Sequence, residues 1–182
     1  MKSRGPWKIL SSELKYKNPW IEVTEDKVLR PDGNPGIYGT VNILPGISVV
    51  AIDDDGYAHL VEVFQYGLGQ NSIETVSGAL DKGETPLAAA KRELKEELGI
   101  EAADWVDLGV IHQYTSIVKD APQQLFLARK LKFGKFEREG TEVLKPVKVK
   151  FSEAVRWVLQ SKIVDAQSGM AIMKANEYLR TK

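Results

Sequence analysis

Apolar and polar residues alternate along the first part of the chain. Trp20–Thr24 and Lys27–Arg30 are extended runs of this kind, and the turn-forming segment Pro31–Gly36 follows them. Such alternation, bounded by Pro, Gly, Asn and Asp, is typical of β-hairpins. The pattern therefore predicts hairpin strands from Trp7 to about Leu44.

Two β-rich runs, Ile47–Ile52 and His59–Phe64, flank the acidic segment Asp53–Gly56. A calcium loop would need ligands at alternate positions and a distant glutamate, which this segment lacks. Its residues instead favour a tight hairpin turn. The further predicted strands are Ile73–Val76, ending at Ser77 and Gly78, then Val106–Gln113, Gln124–Leu131 and Val147–Phe151.

A helical pattern begins after Thr85, which is a good N-cap, and Pro86 suits the first helical position. This helix is predicted to run to Leu98, where Gly99 ends it. Two more helices are predicted at Ser152–Leu159 and at about Asp165–Leu179. Strands with interspersed helices indicate the α/β class, with a mixed sheet flanked by helices.

The composition limits the possible partners of the chain and the residue types that could bind a metal. The chain has 182 residues, no cysteine, and 25 basic against 25 acidic residues. One domain spanning 1–182 is expected, and the balanced charge gives no general attraction to nucleic acid or to a membrane surface. Thiolate chemistry is excluded, so any metal must sit on oxygen or histidine. With no apolar run of about 18 residues, the expected compartment is the cytoplasm.

The helix after Thr85 has an unusual acidic face. Glu93, Glu96 and Glu97 lie at positions i, i+3 and i+4, beside an apolar stripe. The stripe consists of Leu87, Ala90, Leu94 and Leu98. Glutamates at this spacing repel one another by about 0.2–0.5 kcal/mol per pair, whereas a divalent cation would make their proximity favourable. Glutamate-rich helices are usually solvated, but this spacing also suits Mg²⁺, which prefers carboxylate oxygens.

A glycine-containing loop precedes the helix. Gly78 and Gly83 allow the backbone to approach a ligand closely, and Glu84 adds another carboxylate. Arg92 lies on the same side of the helix as Glu96 and can hold a carboxylate with two hydrogen bonds. The loop and helix therefore form one candidate site.

The segment 78–100 resembles the complete Nudix box: Gly78, Glu84, then Arg92–Gly99 and Ile100 at the family's spacing. The resemblance implies an αβα sandwich with an N-terminal β-hairpin region and a Mg²⁺-dependent (or Mn²⁺-dependent) hydrolase of nucleoside diphosphates linked to another moiety. It implies that Glu93 and Glu97 are the main metal ligands, assisted by Glu96. Arg92 and Glu84 would orient the helix, and the carbonyl of Ser77 or Gly78 would add a further ligand.

Flanking residues resemble the ADP-ribose and nucleotide-sugar pyrophosphatase branch. The matching segments are Asn18–Ile21, Pro31–Gly33, Gln65–Tyr66, Glu74 and Lys162–Gln167. The chain departs from this branch at Gly67, where the branch has arginine, and at Tyr114–Ile117, where it has a Ser-Pro-Gly turn. The substrates implied are therefore ADP-ribose and other nucleotide sugars, GDP-mannose included.

Three further roles follow from the same resemblance. A loop glutamate beyond the box, best matched by Glu142 and next by Glu139, would serve as a metal ligand or as the base. Trp20 and Tyr38 match aromatic residues that sandwich the nucleobase, although strand aromatics are usually core or interface residues. The strands of residues 1–44 are expected to pair across a homodimer.

The implied reaction is attack of water on one phosphorus, with Glu142 or a box glutamate taking the proton. ADP-ribose would yield AMP and ribose 5-phosphate. One alternative is another Nudix substrate, such as a dinucleoside polyphosphate or coenzyme A. The other is a sensor that binds nucleotide sugars without turnover, a class that usually lacks the box carboxylates which this chain retains.

Overall fold

The computed structural model describes residues 2–113, 115–119, 121–135 and 143–182. Contacts divide the chain into two compact units. Unit 1 comprises Met1–Pro45 and His112–Pro122, and unit 2 comprises Gly46–Ile111 and Gln123–Lys182. The single-domain organisation stays a prediction.

The strands and helices of the described residues follow one another along the chain. The strands are β1 (Lys2–Arg4), β2 (Trp7–Lys17), β3 (Ile21–Leu29), β4 (Pro35–Ile43), β5 (Gly46–Ile52), β6 (Tyr57–Gln65), β7 (Gln70–Glu74), β8 (Val76–Ala79), β9 (Ile100–His112), β10 (Pro122–Phe133) and β11 (Leu144–Lys150). The helices are α1 (Pro86–Leu98), α2 (Phe151–Leu159) and α3 (Ala166–Arg180). Among the described residues, none of the helices is both long and apolar enough to span a membrane.

Unit 1 is built on an antiparallel sheet in the order β1-β2-β3-β4. The β3–β4 turn closes where the amide of Gly33 donates to the carbonyl of Arg30 at 2.9 Å, with Gly33 at a φ of 84° that suits glycine. From this turn the register places Asp26 opposite Tyr38 and Thr24 opposite Thr40. The expected N-terminal hairpin strands are therefore confirmed.

Unit 2 contains a mixed sheet in the order β11-β6-β5-β10-β9, with β7 paired to β6 and β8 paired to β5. Strand β10 runs parallel to β5, whereas β8 is antiparallel to it. This topology confirms the expected mixed-sheet α/β class.

Every residue of the central strand β5 is buried. Since successive side chains point to opposite sides of a sheet, β5 is covered on both faces. Ile47 and Val49 pack in one core cluster with Leu94 of α1. Val50 packs in a second cluster with Ile172 of α3. Unit 2 is therefore an αβα sandwich, as expected.

The acidic segment Asp53–Gly56 forms the expected hairpin turn. The amide of Gly56 donates to the carbonyl of Asp53 at 3.0 Å, and that of Tyr57 donates to Oδ1 of Asp53 at 2.8 Å. Oδ2 of Asp53 lies 3.0 Å from Nε2 of His59 and 2.8 Å from Nζ of Lys148. These neighbours hold the carboxylate within the turn.

Several details differ from the expected elements. Strand β9 begins at Ile100 rather than at Val106, β11 begins at Leu144 rather than at Val147, and Phe151 begins α2 instead of ending a strand. The single strand expected at Ile73–Val76 is two strands, β7 and β8, which pair with different partners and leave Ser77 and Gly78 inside β8. On α1, Leu87 is 37% exposed while Ala89 is fully buried. The buried face of the helix therefore consists of Ala89, Ala90, Leu94 and Leu98, with Ala89 in place of the expected Leu87.

Candidate active site

Helix α1 begins and ends as its sequence predicts. Oγ1 of Thr85 accepts a hydrogen bond from the amide of Ala88 at 3.3 Å, and Pro86 occupies the first turn. Gly99 adopts the left-handed conformation, φ 64° and ψ 26°, at the C-cap. Since both ends are defined, the positions of the helix side chains are also defined.

Arg92 holds Glu84 in a two-point contact. Its Nε and Nη2 donate to the two carboxylate oxygens of Glu84, each at 3.0 Å. The side chains are 30% and 15% exposed, so water competes only partly for this pair. The hydrogen bond from Arg92 lowers the pKa of Glu84, and the same bond raises the pKa of Arg92. This contact ties the loop before α1 to the helix.

Arg92 also holds two of the predicted metal ligands. Its Nη1 donates to Oε1 of Glu93 at 2.7 Å and to Oε2 of Glu96 at 3.2 Å. Nη2 donates to the carbonyl of Ala79 at 3.3 Å. One guanidinium thus gathers the loop, the end of β8 and the acidic face of α1, and it offsets the repulsion between their carboxylates.

Strand β8 lies directly against Glu93. A Cβ atom built on Gly78 would lie 2.0 Å from Oε1 and 2.2 Å from Cδ of Glu93. Because a carbon–oxygen contact this short is impossible, only glycine fits here while Glu93 keeps its position. Ser77, the neighbouring residue, pairs with Ser48 of β5. The structure therefore brings the predicted residues Ser77, Gly78 and Glu93 together.

The donor set fits a divalent cation in its chemistry. Glu93, Glu96 and Glu97 supply carboxylate oxygens, one oxygen of Glu97 is buried, and Mg²⁺ prefers such donors. Within the described ranges, no three acidic or histidine side chains are arranged so that they could hold a metal ion. Glu93 and Glu96 accept hydrogen bonds from Arg92 in this arrangement. Glu142, the remaining predicted ligand and base, lies outside the described residues, as does Glu139.

A buried polar network holds the backbone just before β8, and the sequence reasoning missed it. Oγ1 of Thr75 lies 2.6 Å from Oγ of Ser48 and 3.0 Å from Oγ of Ser168, which also accepts from the amide of Thr75 at 3.0 Å. The amide of Ser168 donates to Asp165, the N-cap of α3. The network joins β5, α3 and the approach to Ser77. Isolated serines and threonines give no sequence signal for such a network.

Unit 1 contains a cavity of about 500 Å³. It is lined by Arg4, Trp7, Ile9, Asp26, Val28, Tyr38, Thr40, His112, Ser116, Ile117, Val118 and Lys119. The rings of Trp7 and Tyr38 meet edge to face, with centroids 5.4 Å apart and an interplanar angle of 77°. The hydroxyl of Tyr38 donates to the carbonyl of Ser116. One wall of the cavity is therefore aromatic.

The two aromatics predicted to bind a base occupy different places in unit 1. Tyr38 lines the cavity, whereas Trp20 is 67% exposed in the turn between β2 and β3. There the amide of Trp20 donates to Oδ1 of Asn18 at 2.9 Å. The described structure does not bring the two rings together. His112 is exposed and also lines the cavity.

Two family models match consecutive parts of the chain. Residues 43–173 match the model of the NUDIX domain, and residues 7–41 match the model of the nucleoside diphosphate sugar hydrolase N-terminal domain. The first match covers the acidic face of α1 and the loop before it. The second covers most of the sheet that lines the cavity.

Two curated relatives are similar over most of their length. An ADP-ribose pyrophosphatase of Bacillus subtilis is 27% identical over 177 residues, which is 96% of this chain and 93% of the relative. An ADP-ribose pyrophosphatase of Mycobacterium tuberculosis is 29% identical over 163 residues, 86% and 77% of the two chains. Among solved structures, one of an ADP compounds hydrolase superposes with a TM-score of 0.82 at 22% identity. That match covers 100% of this chain and 98% of the other, and it shows a shared fold.

Proposed function

Because this chain belongs to the Nudix family, we propose that it hydrolyses the pyrophosphate bond of nucleoside diphosphate sugars. The products would be a nucleoside monophosphate and a sugar phosphate. ADP-ribose and GDP-mannose are the leading candidate substrates. The N-terminal match to nucleoside diphosphate sugar hydrolases and the names of the curated relatives support this substrate class.

The acidic face of α1, clamped by Arg92 beside Gly78, is the observation that carries the proposal. Retaining three glutamates within about one turn costs helix stability in the absence of a cation. Arg92 donates hydrogen bonds to Glu84, Glu93 and Glu96. A helix with only a packing role would need none of this arrangement, so it supports a site for a phosphate-bound cation.

Nudix hydrolases generally need divalent metal ions, and we propose Mg²⁺, with Mn²⁺ as a substitute. Glu93, Glu96 and Glu97 would hold it with the carbonyl of Ser77, and Glu142 would join them. When bound, the ion supplies Lewis-acid charge that offsets the charge developing on the phosphate oxygens and acidifies water.

The chain's own residues would prepare the site. Arg92 holds the loop through Glu84 whether or not Glu93 and Glu96 turn towards an ion, because Nε and Nη2 contact Glu84 while Nη1 contacts the other two. Gly78 leaves room for Glu93. Either Glu142 or a box glutamate such as Glu97 would accept the proton of the attacking water.

We further propose that unit 1 contributes the base-binding residues Trp20 and Tyr38 and that the chain forms a homodimer through its N-terminal strands. The exposure of Trp20, at 67%, suits a ring that a ligand or a second subunit covers. Sedimentation of the purified protein would test the dimer. A monomer at micromolar concentration would contradict the proposed homodimer.

The function is tested by incubating the purified protein with ADP-ribose, GDP-mannose, a diadenosine polyphosphate and coenzyme A. Each reaction is run with Mg²⁺ and with chelator, and nucleotide products are separated by chromatography. We expect Mg²⁺-dependent release of nucleoside monophosphate from the two nucleotide sugars. Turnover confined to the diadenosine polyphosphate or to coenzyme A would show that the substrate is not a nucleotide sugar. Saturable binding without turnover of any compound would make the protein a sensor.

A further inference from the structure

The cavity of unit 1 contains a carboxylate that nothing in the described chain engages. Asp26 and Val28 lie on the cavity side of β3, and Asp26 is directly opposite Tyr38 in the register of the sheet. Across the described ranges, the side chain of Asp26 forms no hydrogen bond or ion pair, while its backbone pairs within the sheet. An ionised carboxylate accepts hydrogen bonds and does not donate them. The cavity therefore presents two acceptor oxygens beside an aromatic wall.

A second polar group in the cavity is buried without a partner. Thr40 is 5% exposed, and its Oγ1 has no hydrogen-bond partner among the residues that the structure describes. Thr40 lies two residues beyond Tyr38 on β4, so both side chains face the cavity. Burying a hydroxyl without a hydrogen bond is unfavourable. A ligand that fills the cavity would supply the missing partner.

The remaining walls define the ligand's class. Trp7 and Tyr38 offer ring surfaces for a flat aromatic group. Arg4 and Lys119 add two cations, and neither forms an ion pair within the described chain. The volume of about 500 Å³ lies within the roughly 300–1,000 Å³ typical of small-molecule pockets. An aromatic base attached to a phosphate, that is, a nucleotide, satisfies all these groups.

The carboxylate distinguishes among the bases. Guanine presents two neighbouring donors on one edge, its ring N1–H and its exocyclic N2 amine, which match the two oxygens of a carboxylate. Adenine places an acceptor nitrogen beside its amine, cytosine does the same, and uracil flanks its single N–H with two carbonyls. Each of these three bases would set an acceptor against a carboxylate oxygen.

We infer that this cavity binds the base of the nucleotide sugar and that Asp26, assisted by Thr40, selects guanine. The inference rests on the proposed function and narrows its substrate class to guanosine diphosphate sugars. It also separates this chain from the relatives, whose names specify ADP-ribose.

The test uses substrates that differ only in their base. GDP-glucose, IDP-glucose and ADP-glucose share their sugar, and the hypoxanthine of IDP-glucose keeps N1–H but lacks the N2 amine. We expect kcat/KM to fall in that order, with GDP-glucose at least about tenfold above ADP-glucose. Asp26→Asn should lower kcat/KM for GDP-glucose by about tenfold or more, mainly through KM, and leave ADP-glucose within about twofold.

Glu25→Gln provides the matched control, because Glu25 precedes Asp26 on β3 and faces the other side of the sheet. It should leave all three values as in the wild type. Equal turnover of the three substrates by the wild type would overturn the inference, and so would an equal loss for all three in Asp26→Asn.

Failure of the proposed function is separable from failure of the inference. If the wild type hydrolyses none of the three sugars, GMP and AMP binding are compared by calorimetry. Binding of GMP at least about tenfold tighter than AMP, with the difference lost in Asp26→Asn, would support the base site without catalysis. Equal affinities would overturn it.

Discussion

Replacing Gly78 with alanine tests the contact between β8 and the acidic face of α1. The new Cβ would lie 2.0 Å from Oε1 of Glu93, whereas carbon and oxygen atoms in contact are normally about 3.5 Å apart. Since φ of Gly78 is not in the left-handed region, the backbone tolerates alanine. The side chain of Glu93 must therefore retreat by more than about 1 Å.

A displacement of this size removes a metal ligand and leaves the fold intact. Mg²⁺ requires oxygens at about 2.0–2.1 Å in near-octahedral geometry, so Glu93 could no longer contribute. We expect the Mg²⁺ concentration for half-maximal activity to rise about tenfold or more. Because the clash falls on the flexible side chain of Glu93 and not on backbone, the free energy of unfolding should decrease by less than about 2 kcal/mol.

The assay is Mg²⁺ titration of nucleotide-sugar hydrolysis, with thermal unfolding measured alongside. Gly39→Ala is the matched control, since Gly39 also lies in a strand and an added Cβ there would meet no atom within 4 Å. An unchanged Mg²⁺ requirement in a folded Gly78→Ala variant would refute the reasoning that Glu93 is a ligand held in place by this contact.

Three further predictions concern stability. Burial opposes ionisation of Asp53, but hydrogen bonds, first that from Lys148, hold the pKa of Asp53 well below its usual range. The wild type should therefore be more stable than Asp53→Asn, with the full difference in the free energy of unfolding present above about pH 4. This difference should shrink as the pH falls below that value and through the lower pKa of the folded state. Urea unfolding at pH 7 and pH 3 measures it, and an equal difference at both pH values would contradict the prediction. Thr40→Val should raise the free energy of unfolding by about 1 kcal/mol, since it removes a buried hydroxyl without a partner, and a lower melting temperature would count against it. Ser168→Ala should reduce the free energy of unfolding by about 1–3 kcal/mol, because it leaves the buried Thr75 amide without its acceptor. Chemical denaturation measures this, and wild-type stability of the variant would show that the network does not stabilise the fold.

Local sequence signals predicted α1 and its surroundings well. Thr85, Pro86 and Gly99 act through backbone groups within a few residues, so their effect is readable from the chain alone. The hairpin turn at Gly33 and the alternating strands of unit 1 follow from similarly local preferences. The sequence likewise indicated that Arg92 can hold a carboxylate with two hydrogen bonds, and in the structure that carboxylate belongs to Glu84.

Groups brought together by distant parts of the chain were not predictable. Thr75 and Ser168 are separated by 93 residues, and their contact depends on how α3 packs on the sheet. The cavity likewise requires β3 and β4 to face the segment that carries Ser116. In the sequence alone, Asp26 cannot be distinguished from any other charged strand residue, because only the fold shows that it lines this cavity with that segment. The division of one expected strand into β7 and β8 depended on a choice between two pairing partners that periodicity does not encode.

If the glutamates of α1 support metal-dependent hydrolysis of a nucleotide sugar, removing the charge of one of them must lower turnover. The decisive measurement compares kcat of Glu97→Gln with that of the wild type at saturating Mg²⁺. Glu101→Gln serves as the control, because Glu101 is an exposed carboxylate just beyond the same helix. Glu97→Gln should lose at least about a hundredfold in kcat with an unchanged melting temperature in chelator, while the control keeps wild-type activity. Wild-type turnover by Glu97→Gln would show that these glutamates do not support the reaction.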